Sequence, residues 1–293
     1  FTIVAGLSGI SIGYLLDKLL HKKAEREMSE NIQDKPTESQ EIYNQYFSHF
    51  PKSISEAMDM HKRMVVVPRF NETEHIHDQF QLVRKLDEMG IVVGVLPTSA
   101  DVDETFRELQ KAVDKARTHT FKQIEKGSSV AAIRSAIDEM KCGKRICLAS
   151  SAGGHLRELQ LAVGDIPDNN DCYWLTLKTT ATKAFMADKK HVFLVNFQPA
   201  KKWTLIANAI QALWWVVMKR PTCIITTGAG VCIPTIAFAK RLLGTKIIFI
   251  NSAADVTTPS RTPVWIEKYA DLFLVQWSDM LKYFPNAICC GVL

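Results

Sequence analysis

The stretch SSAGGHLREL (Ser150–Leu159) combines residue types that bind anionic groups and move protons. It follows an apolar run, RICLA, and leads into a segment with helical spacing. Gly153 and Gly154 allow a sharp turn and a close approach of the backbone to a ligand, and the two serines can cap backbone amides. A helix that starts here points its positive end at that ligand, and His155 can take up a proton near neutral pH. The spacing predicts a ligand-binding turn, but it equally allows a tight turn in which His155 only caps or packs.

A second glycine loop of the same kind lies in TCIITTGAGVCIPTIAFAKRLLG. Gly228, Ala229 and Gly230 separate a strand-like run from a helical one. Pro234 stands in the first turn of that helix, where proline is tolerated. Two such turns at strand ends predict opposite walls of one cleft.

The elements that must position these loops are short strands and helices that alternate from Lys144 onward. The apolar runs are RICLA, CYWLTL, HVFLV, TCIITT, KIIFIN and DLFLV. This alternation predicts an α/β fold in which helices cover both faces of a parallel sheet. In such sheets ligands bind beyond the carboxyl ends of the strands, where the strand order changes direction. Both glycine loops stand at strand ends of this kind.

Composition narrows the classes of function. The chain has 293 residues, of which 47% are hydrophobic and 23% charged, so it can bury a core and is not a disordered chain. The formal net charge is only +5, and no dense basic stripe alternates with aromatic residues. We therefore expect no nucleic-acid partner.

The N-terminal stretch FTIVAGLSGISIGYLL is uncharged and is followed by basic residues that include Lys22 and Lys23. It is shorter than the roughly 20 residues of a typical membrane-spanning helix. The positive charge after it favours a cytoplasmic location for the rest of the chain. We expect a membrane anchor helix over residues 1–20; the alternatives are a secretory signal and a buried core helix.

Three further regions follow the predicted anchor. Residues 21–60 are polar, with Pro36 as the strong breaker, and predict a linker or an exposed helix. Residues 61–142 contain MVVVP and IVVGVLP on either side of a helical segment and predict a small α/β module. Residues 144–293 hold the alternating pattern and both glycine loops.

The stretch AKKWTLIANAIQALWWVVMKRP places Trp203 and Trp214 on an apolar stripe with basic residues at both ends. Tryptophan favours the headgroup boundary of a bilayer, so the pattern predicts a helix that lies in the membrane interface. The alternative is a helix buried against the sheet, because the face opposite the stripe is also fairly apolar.

Three stretches together resemble a known family: ICLASSAGGHLREL, TTGAGVCIPTIAFAKRLLGTKIIFINSAADVTTPS and ADLFLVQWSDMLKYFPNAICCGVL. They are similar to the membrane-anchoring subunit of the two-part N-acetylglucosaminyltransferase of lipid-linked oligosaccharide synthesis, the asparagine-linked glycosylation protein 14 family. They are also similar to bacterial PssD-like subunits of polysaccharide assembly, and the first loop more distantly resembles the GGTGGH loop of the lipid II-forming transferase. The resemblance covers roughly Lys144 to Leu293. It implies a Rossmann-like fold resembling the N-terminal, acceptor-side half of a GT-B glycosyltransferase.

The resemblance also implies a division of labour between two subunits. A separate soluble subunit would hold the nucleotide sugar, UDP-GlcNAc or another UDP-sugar. The present chain would anchor that partner to the membrane and present a lipid-diphosphate-linked saccharide as acceptor. The resemblance thus implies a hexosyltransferase subunit that is active only with its partner. From the residues themselves we expect no cofactor and no metal site. The subunit would face the cytoplasm from the endoplasmic reticulum membrane of a eukaryote or the plasma membrane of a bacterium.

Carried onto this sequence, the resemblance assigns His155 the role of the base. Substrate binding falls to residues of the two loops and of a later strand end: Ser151, Gly153, Gly154, Gly228, Ala229, Gly230, Asn251 and Ser252. Contact with the partner or the membrane falls to Trp203, Trp214, Gln276 and Trp277. For Gln276 and Trp277 the alternative is plain core packing.

One position departs from the family pattern. Family members commonly have a glutamate in a YIES-like strand end, whereas this chain has FINSAADV with Asn251 in that place. Asparagine cannot act as a general base. Either the carboxylate is dispensable, or Asp255 replaces it, or the chain is a non-catalytic membrane scaffold that recruits glycan-assembly proteins.

Overall fold

The computed structural model describes residues 2–5, 63–68, 76–96, 102–123, 127–196 and 202–293. The chain divides into two compact units, Phe1–Ile124 and Glu125–Leu293. Both glycine loops lie in the C-terminal unit.

The N-terminal unit contains a parallel three-stranded sheet and two helices. Its strands are β1 (Thr2–Ala5), β2 (Met64–Val67) and β3 (Val93–Gly94), in that order across the sheet. Helices α1 (Ile76–Glu88) and α2 (Val102–Thr118) follow β2 and β3. Valines of β2 and β3 form one apolar cluster with the inner face of α2. The strand, helix and strand predicted after residue 61 are therefore present.

The first strand differs from the anchor helix predicted over residues 1–20. Thr2–Ala5 pair in parallel with Met64–Val67. The threonine, isoleucine and valine of this segment are β-branched, and such residues favour strands over helices. Residues 6–20 of the predicted anchor and the predicted linker at 21–60 lie outside the described residues. Within the described part of the chain, no helix has the length and apolar character needed to span a membrane.

A seven-stranded parallel sheet forms the centre of the C-terminal unit. Its strands are β4 (Arg145–Ala149), β5 (Asp171–Leu177), β6 (His191–Leu194), β7 (Cys223–Thr226), β8 (Lys246–Ile250), β9 (Leu272–Val275) and β10 (Ile288–Cys289). The order across the sheet is β10-β9-β8-β7-β4-β5-β6. This arrangement confirms the parallel α/β fold that the alternating runs predict.

Helices precede and connect these strands. They are α3 (Val130–Glu139), α4 (Gly154–Val163), α5 (Thr180–Phe185), α6 (Lys202–Lys219), α7 (Ile233–Leu243) and α8 (Arg261–Ile266). Short 3-10 turns lie at Ile166–Asn169, Gly230–Cys232, Glu267–Tyr269 and Ser278–Lys282. All four residues of β7 are buried, as are the last four of β4, because helices cover both faces of the sheet.

Helix α3 lies in the C-terminal unit, although the sequence places it in the module of residues 61–142. Ile133 and Ala136 are buried in the same apolar cluster as residues of β4 and α4. The segment before α3 is also tied to this unit, because the amide of Gly127 donates to the carbonyl of Val292 at 2.7 Å. The C-terminal unit therefore begins at Glu125 and includes α3.

The strand order changes direction at β4. The chain runs outward from β4 through β5 to β6, and it then crosses to β7 on the other side of β4. In parallel α/β sheets such a reversal leaves a crevice at the carboxyl ends of the two strands concerned. The glycine loops follow β4 and β7, so the fold places both of them at this crevice.

Candidate active site

The first glycine loop turns the chain from β4 into α4 through a backbone conformation that glycine alone adopts easily. Gly153 has φ +78° and ψ −135°. A Cβ atom added there would meet no heavy atom within 4 Å, so the backbone angle, and not lack of space, requires glycine. The N-cap of α4 is Gly153, which has no side chain to cap the helix; the Ser151 hydroxyl donates to the carbonyl of Ala152 at 3.3 Å, and the hydroxyl of Ser150 is buried without a hydrogen-bond partner among the described residues. The amide capping predicted for the serines therefore does not form.

The second glycine loop is also a constrained turn. Gly228 has φ +84°, and Ala229 has φ +89°, which is unusual for a residue with a side chain. A Cβ atom on Gly228 would lie 2.9 Å from Cε2 of Phe249. The Thr226 hydroxyl accepts a hydrogen bond from the amide of Gly228 at 2.9 Å and closes the turn. Pro234 occupies the first turn of α7, as predicted.

A hydrogen bond joins the two loops. The hydroxyl of Thr227 donates to the main-chain carbonyl of His155 at 2.8 Å. Strands β4 and β7 are neighbours, and Ala149 pairs with Thr226 at their ends. The structure thus brings together the two loops that the sequence predicts to share a cleft.

Glu158 is the residue that the sequence analysis missed. It lies one turn after His155 on α4, and its Oε2 is 3.7 Å from Nδ1 of His155, within ion-pair range but beyond a hydrogen bond. Its other oxygen, Oε1, accepts from the amide of Ala253 at 2.9 Å and from the hydroxyl of Ser252 at 3.1 Å. The His-x-x-Glu spacing within the first turn of a helix is the sequence signal that could have found it.

The environment of Glu158 changes its acidity. Partial burial, which leaves 17% of the side chain exposed, raises the pKa of this carboxyl from 4.5 to about 7, because the negative charge loses much of its hydration. The hydrogen bonds from Ala253 and Ser252 oppose this rise, and the charge of Asp255 adds to it. A carboxyl group that titrates near neutral pH can exchange protons under physiological conditions.

Asn251 follows β8 and is buried, with 1% of its surface exposed. Its main-chain oxygen accepts from Nε2 of Gln276 at 2.9 Å. Neither Oδ1 nor Nδ2 of its side chain has a hydrogen-bond partner among the described residues. A buried amide without protein partners indicates a place for a polar ligand group or water.

Gln276 and Trp277 lie after β9 and are buried. The indole of Trp277 donates to the carbonyl of Ala253 at 2.8 Å, and Oε1 of Gln276 accepts from the amide of Leu293 at 3.0 Å. With the bond from Gln276 to Asn251, the side chains of Gln276 and Trp277 both form hydrogen bonds inside the C-terminal unit. Of the two interpretations offered by the sequence, their burial favours core packing over an interface.

Helix α6 presents its apolar stripe outward. Trp203 is 64% exposed and Trp214 is 54% exposed, and the other large apolar residues of the exposed face are Leu205, Ile206, Ile210, Leu213, Val217 and Met218. The inward face is partly polar: Nδ2 of Asn208 donates to the carbonyl of Val195 at 2.9 Å, and Gln211 bonds to the backbone of the same segment. The apolar stripe is therefore not buried against the sheet, and an exposed apolar patch of this kind is available for contact with another surface.

The comparisons with known proteins concern mainly the C-terminal third of the chain. Residues 198–293 match the family model described as "Oligosaccharide biosynthesis protein Alg14 like". This match confirms the family resemblance for β7, β8, β9 and the second glycine loop. The first glycine loop, with His155 and Glu158, precedes the matched residues.

Curated relatives are also named for Alg14. The chain is 35% identical over 100 residues to the UDP-N-acetylglucosamine transferase subunit ALG14 of Candida albicans, covering 32% of this chain and 44% of that protein. It is 28% identical over 95 residues to the subunit of the same name from Schizosaccharomyces pombe, covering 31% and 45%. The chain thus spans about half the length of the curated relatives it matches.

A solved structure of Acinetobacter baumannii MurG gives a weaker match. It is 14% identical, with a TM-score of 0.38, over 47% of this chain and 43% of that one. At this score the likeness supports no conclusion about the site.

Proposed function

We propose that this chain, whose residues 198–293 have an Alg14-like sequence, is the membrane-associated, acceptor-binding subunit of a two-part UDP-GlcNAc transferase. The observation that carries the proposal is the match to relatives named as UDP-N-acetylglucosamine transferase subunits, in the region that forms the second wall of the crevice. The word "subunit" in those names supports a second chain, and the family resemblance is the reason to expect that this second chain is soluble and holds the nucleotide sugar.

The two glycine loops suit a lipid-diphosphate acceptor. Ser151, Gly153 and Gly154 lie where the N-terminus of α4 opens at the carboxyl end of β4, and a helix N-terminus favours the negative charge of a diphosphate. The opposite wall consists of Gly228, Ala229 and Gly230. With few side-chain atoms in either loop, the acceptor headgroup can approach the backbone closely.

His155 and Asn251 supply the polar groups for the transfer. In the proposed reaction, His155 takes the proton from the acceptor hydroxyl, the hydroxyl oxygen forms a bond to C1 of the GlcNAc, and the bond from C1 to UDP breaks. The amide of Asn251, which has no partner among the described residues, can both donate to and accept from a sugar hydroxyl, and Ser252 follows it in the chain. Asn251 then has a binding role, so no carboxylate is needed at its position.

The exposed stripe of α6 supports membrane association. Trp203 and Trp214 face solvent, and Nζ of Lys219 lies 5.3 Å from the ring centre of Trp215 at the end of the same helix. Tryptophans next to lysine suit the boundary between anionic headgroups and hydrocarbon. In this proposal α6 rests on the cytoplasmic leaflet of the membrane.

The direct test of the two-subunit proposal is a reconstituted transfer assay. The purified full chain in liposomes is given UDP-GlcNAc and a lipid-diphosphate-linked saccharide, with and without a soluble subunit that holds UDP-GlcNAc. We expect transfer only when both chains are present. Robust transfer by this chain alone would refute the two-subunit proposal.

A non-catalytic scaffold is the second candidate, and Asn251 is the observation that favours it. The family that the chain resembles commonly has a glutamate at the position of Asn251. Replacement of that glutamate is expected in a chain that still binds its partner but has lost catalytic activity. The two candidates differ in what they require of His155, because a scaffold needs the loop only for shape.

A further inference from the structure

The loop that follows β8 is held between two elements of the C-terminal unit. From one side, Glu158 of α4 accepts hydrogen bonds from the amide of Ala253 and the hydroxyl of Ser252. From the other side, Gln276 and Trp277 donate to the carbonyls of Asn251 and Ala253. The loop carries the buried Asn251 amide, so these contacts set where that amide stands.

We propose that Glu158 is a positioning residue of this site: its carboxyl group ties the first turn of α4 to the loop after β8 and thereby sets the position of His155 relative to Asn251. The proposal rests on the proposed function for its catalytic consequence, but its structural part can be tested without any transfer reaction.

The two carboxyl oxygens of Glu158 have different neighbours. Oε1 is occupied by the loop after β8, and Oε2 lies 3.7 Å from Nδ1 of His155. At this distance the two atoms are within ion-pair range but do not share a hydrogen bond. The charge of Asp255 also acts on Glu158, from the loop side, and Oδ2 of Asp255 accepts from the hydroxyl of Ser260 at 3.1 Å.

The contact bridges elements that are distant in the sequence. Ser252 and Ala253 are 94 and 95 residues from Glu158. Charged oxygens form shorter and stronger hydrogen bonds than neutral ones, so the attachment of the loop tightens when Glu158 loses its proton. The amide of Ala253 therefore reports the ionisation of Glu158 directly.

The experiment compares Glu158→Gln, Glu158→Ala and the control Glu267→Gln in the full chain. Glu267 is an exposed glutamate of the same unit. The first readout is the NMR shift of the Ala253 amide between pH 5 and 9, recorded with ¹⁵N-alanine labelling and assigned with Ala253→Gly. We expect the signal to titrate near pH 7 in the wild type and in Glu267→Gln, and to be flat in Glu158→Gln. A signal that is flat in the wild type, or that titrates unchanged in Glu158→Gln, would overturn the proposal.

The second readout is GlcNAc transfer in the reconstituted pair. Glutamine keeps an oxygen that accepts from Ala253 and Ser252, so we expect Glu158→Gln to retain kcat within about threefold, with an altered pH profile. Glu158→Ala removes both acceptors and should lower kcat by about tenfold or more. Equal loss in both variants would identify Glu158 as a proton-transfer group and overturn the positioning role. Absence of transfer in the wild type would count against the proposed function alone, because the Ala253 signal does not depend on it.

Discussion

Thr227 donates its hydroxyl hydrogen to the main-chain carbonyl of His155 at 2.8 Å, and this bond links the glycine loop after β7 to the one after β4. Thr227 is buried, so a missing donor would leave the carbonyl of His155 without this partner in the interior. Together with the pairing of β4 and β7, the bond holds two loops separated by 72 residues in the chain at a fixed spacing.

Replacing Thr227 tests this link. Thr227→Val keeps the shape but removes the donor, and we expect a loss of about 1–2 kcal/mol in the free energy of unfolding, measured by urea denaturation. Thr227→Ser keeps the hydroxyl and should retain most of the stability. If the valine and serine variants are equally stable, the hydrogen bond does not hold the loops together.

The second prediction concerns the positive φ angle of Gly153 in the first glycine loop. Gly153→Ala creates no steric contact, but it forces alanine to φ +78°, so we expect a cost of about 1–3 kcal/mol in stability. Gly230→Ala is the matched control, because an added Cβ also meets nothing within 4 Å there and the backbone has no positive φ. Thermal unfolding of the two variants should differ by several degrees, and equal melting temperatures would refute the strain argument.

The raised pKa of Glu158 predicts how stability depends on pH. Between 4.5 and about 7 the folded chain binds more protons at this site than the unfolded chain, so its stability falls as the pH rises through that interval. The full effect is at most about 3 kcal/mol. Glu158→Gln cannot titrate, so the wild type should lose stability relative to this variant as the pH rises from 4.5 to 7. Parallel stability curves over that range would contradict the prediction.

The membrane contact of α6 can be measured by tryptophan fluorescence. In vesicles that contain phosphatidylserine and brominated phosphatidylcholine, bromine quenches tryptophans that enter the bilayer. We expect the double variant Trp203→Phe and Trp214→Phe to lose about half of the quenching, because the two exposed indoles of α6 are gone while the exposed Trp265 of α8 remains. The control is Trp174→Phe, since Trp174 is buried in the sheet. Equal quenching in the double variant and the wild type would show that this face does not rest on lipid.

Much of the fold follows from local patterns in the sequence. The apolar runs from RICLA to DLFLV form the strands of a parallel sheet, and glycines with positive φ mark the turns that follow β4 and β7. Such signals depend on neighbouring residues only, so the sequence predicts them well.

The unpredicted features depend on contacts between distant parts of the chain. The raised pKa of Glu158 depends on burial and on contacts with a loop about 94 residues away in the chain. The residues around LREL carry no signal of these contacts. Both faces of helix α6 are fairly apolar, so its sequence does not show which face is buried. In the structure, the bonds of Asn208 and Gln211 to β6 and the segment after it turn their face inward. The strand at Thr2–Ala5 needs a partner at Met64–Val67, which no local pattern reveals.

The most direct test of the central claim is the turnover of His155→Ala in the reconstituted pair, with complex formation followed by co-sedimentation with the soluble subunit. If the chain contributes a base to GlcNAc transfer, kcat should fall by about 100-fold or more while the complex stays intact. Unchanged turnover in an intact complex would contradict the catalytic role of this loop and leave the membrane scaffold as the function of the chain.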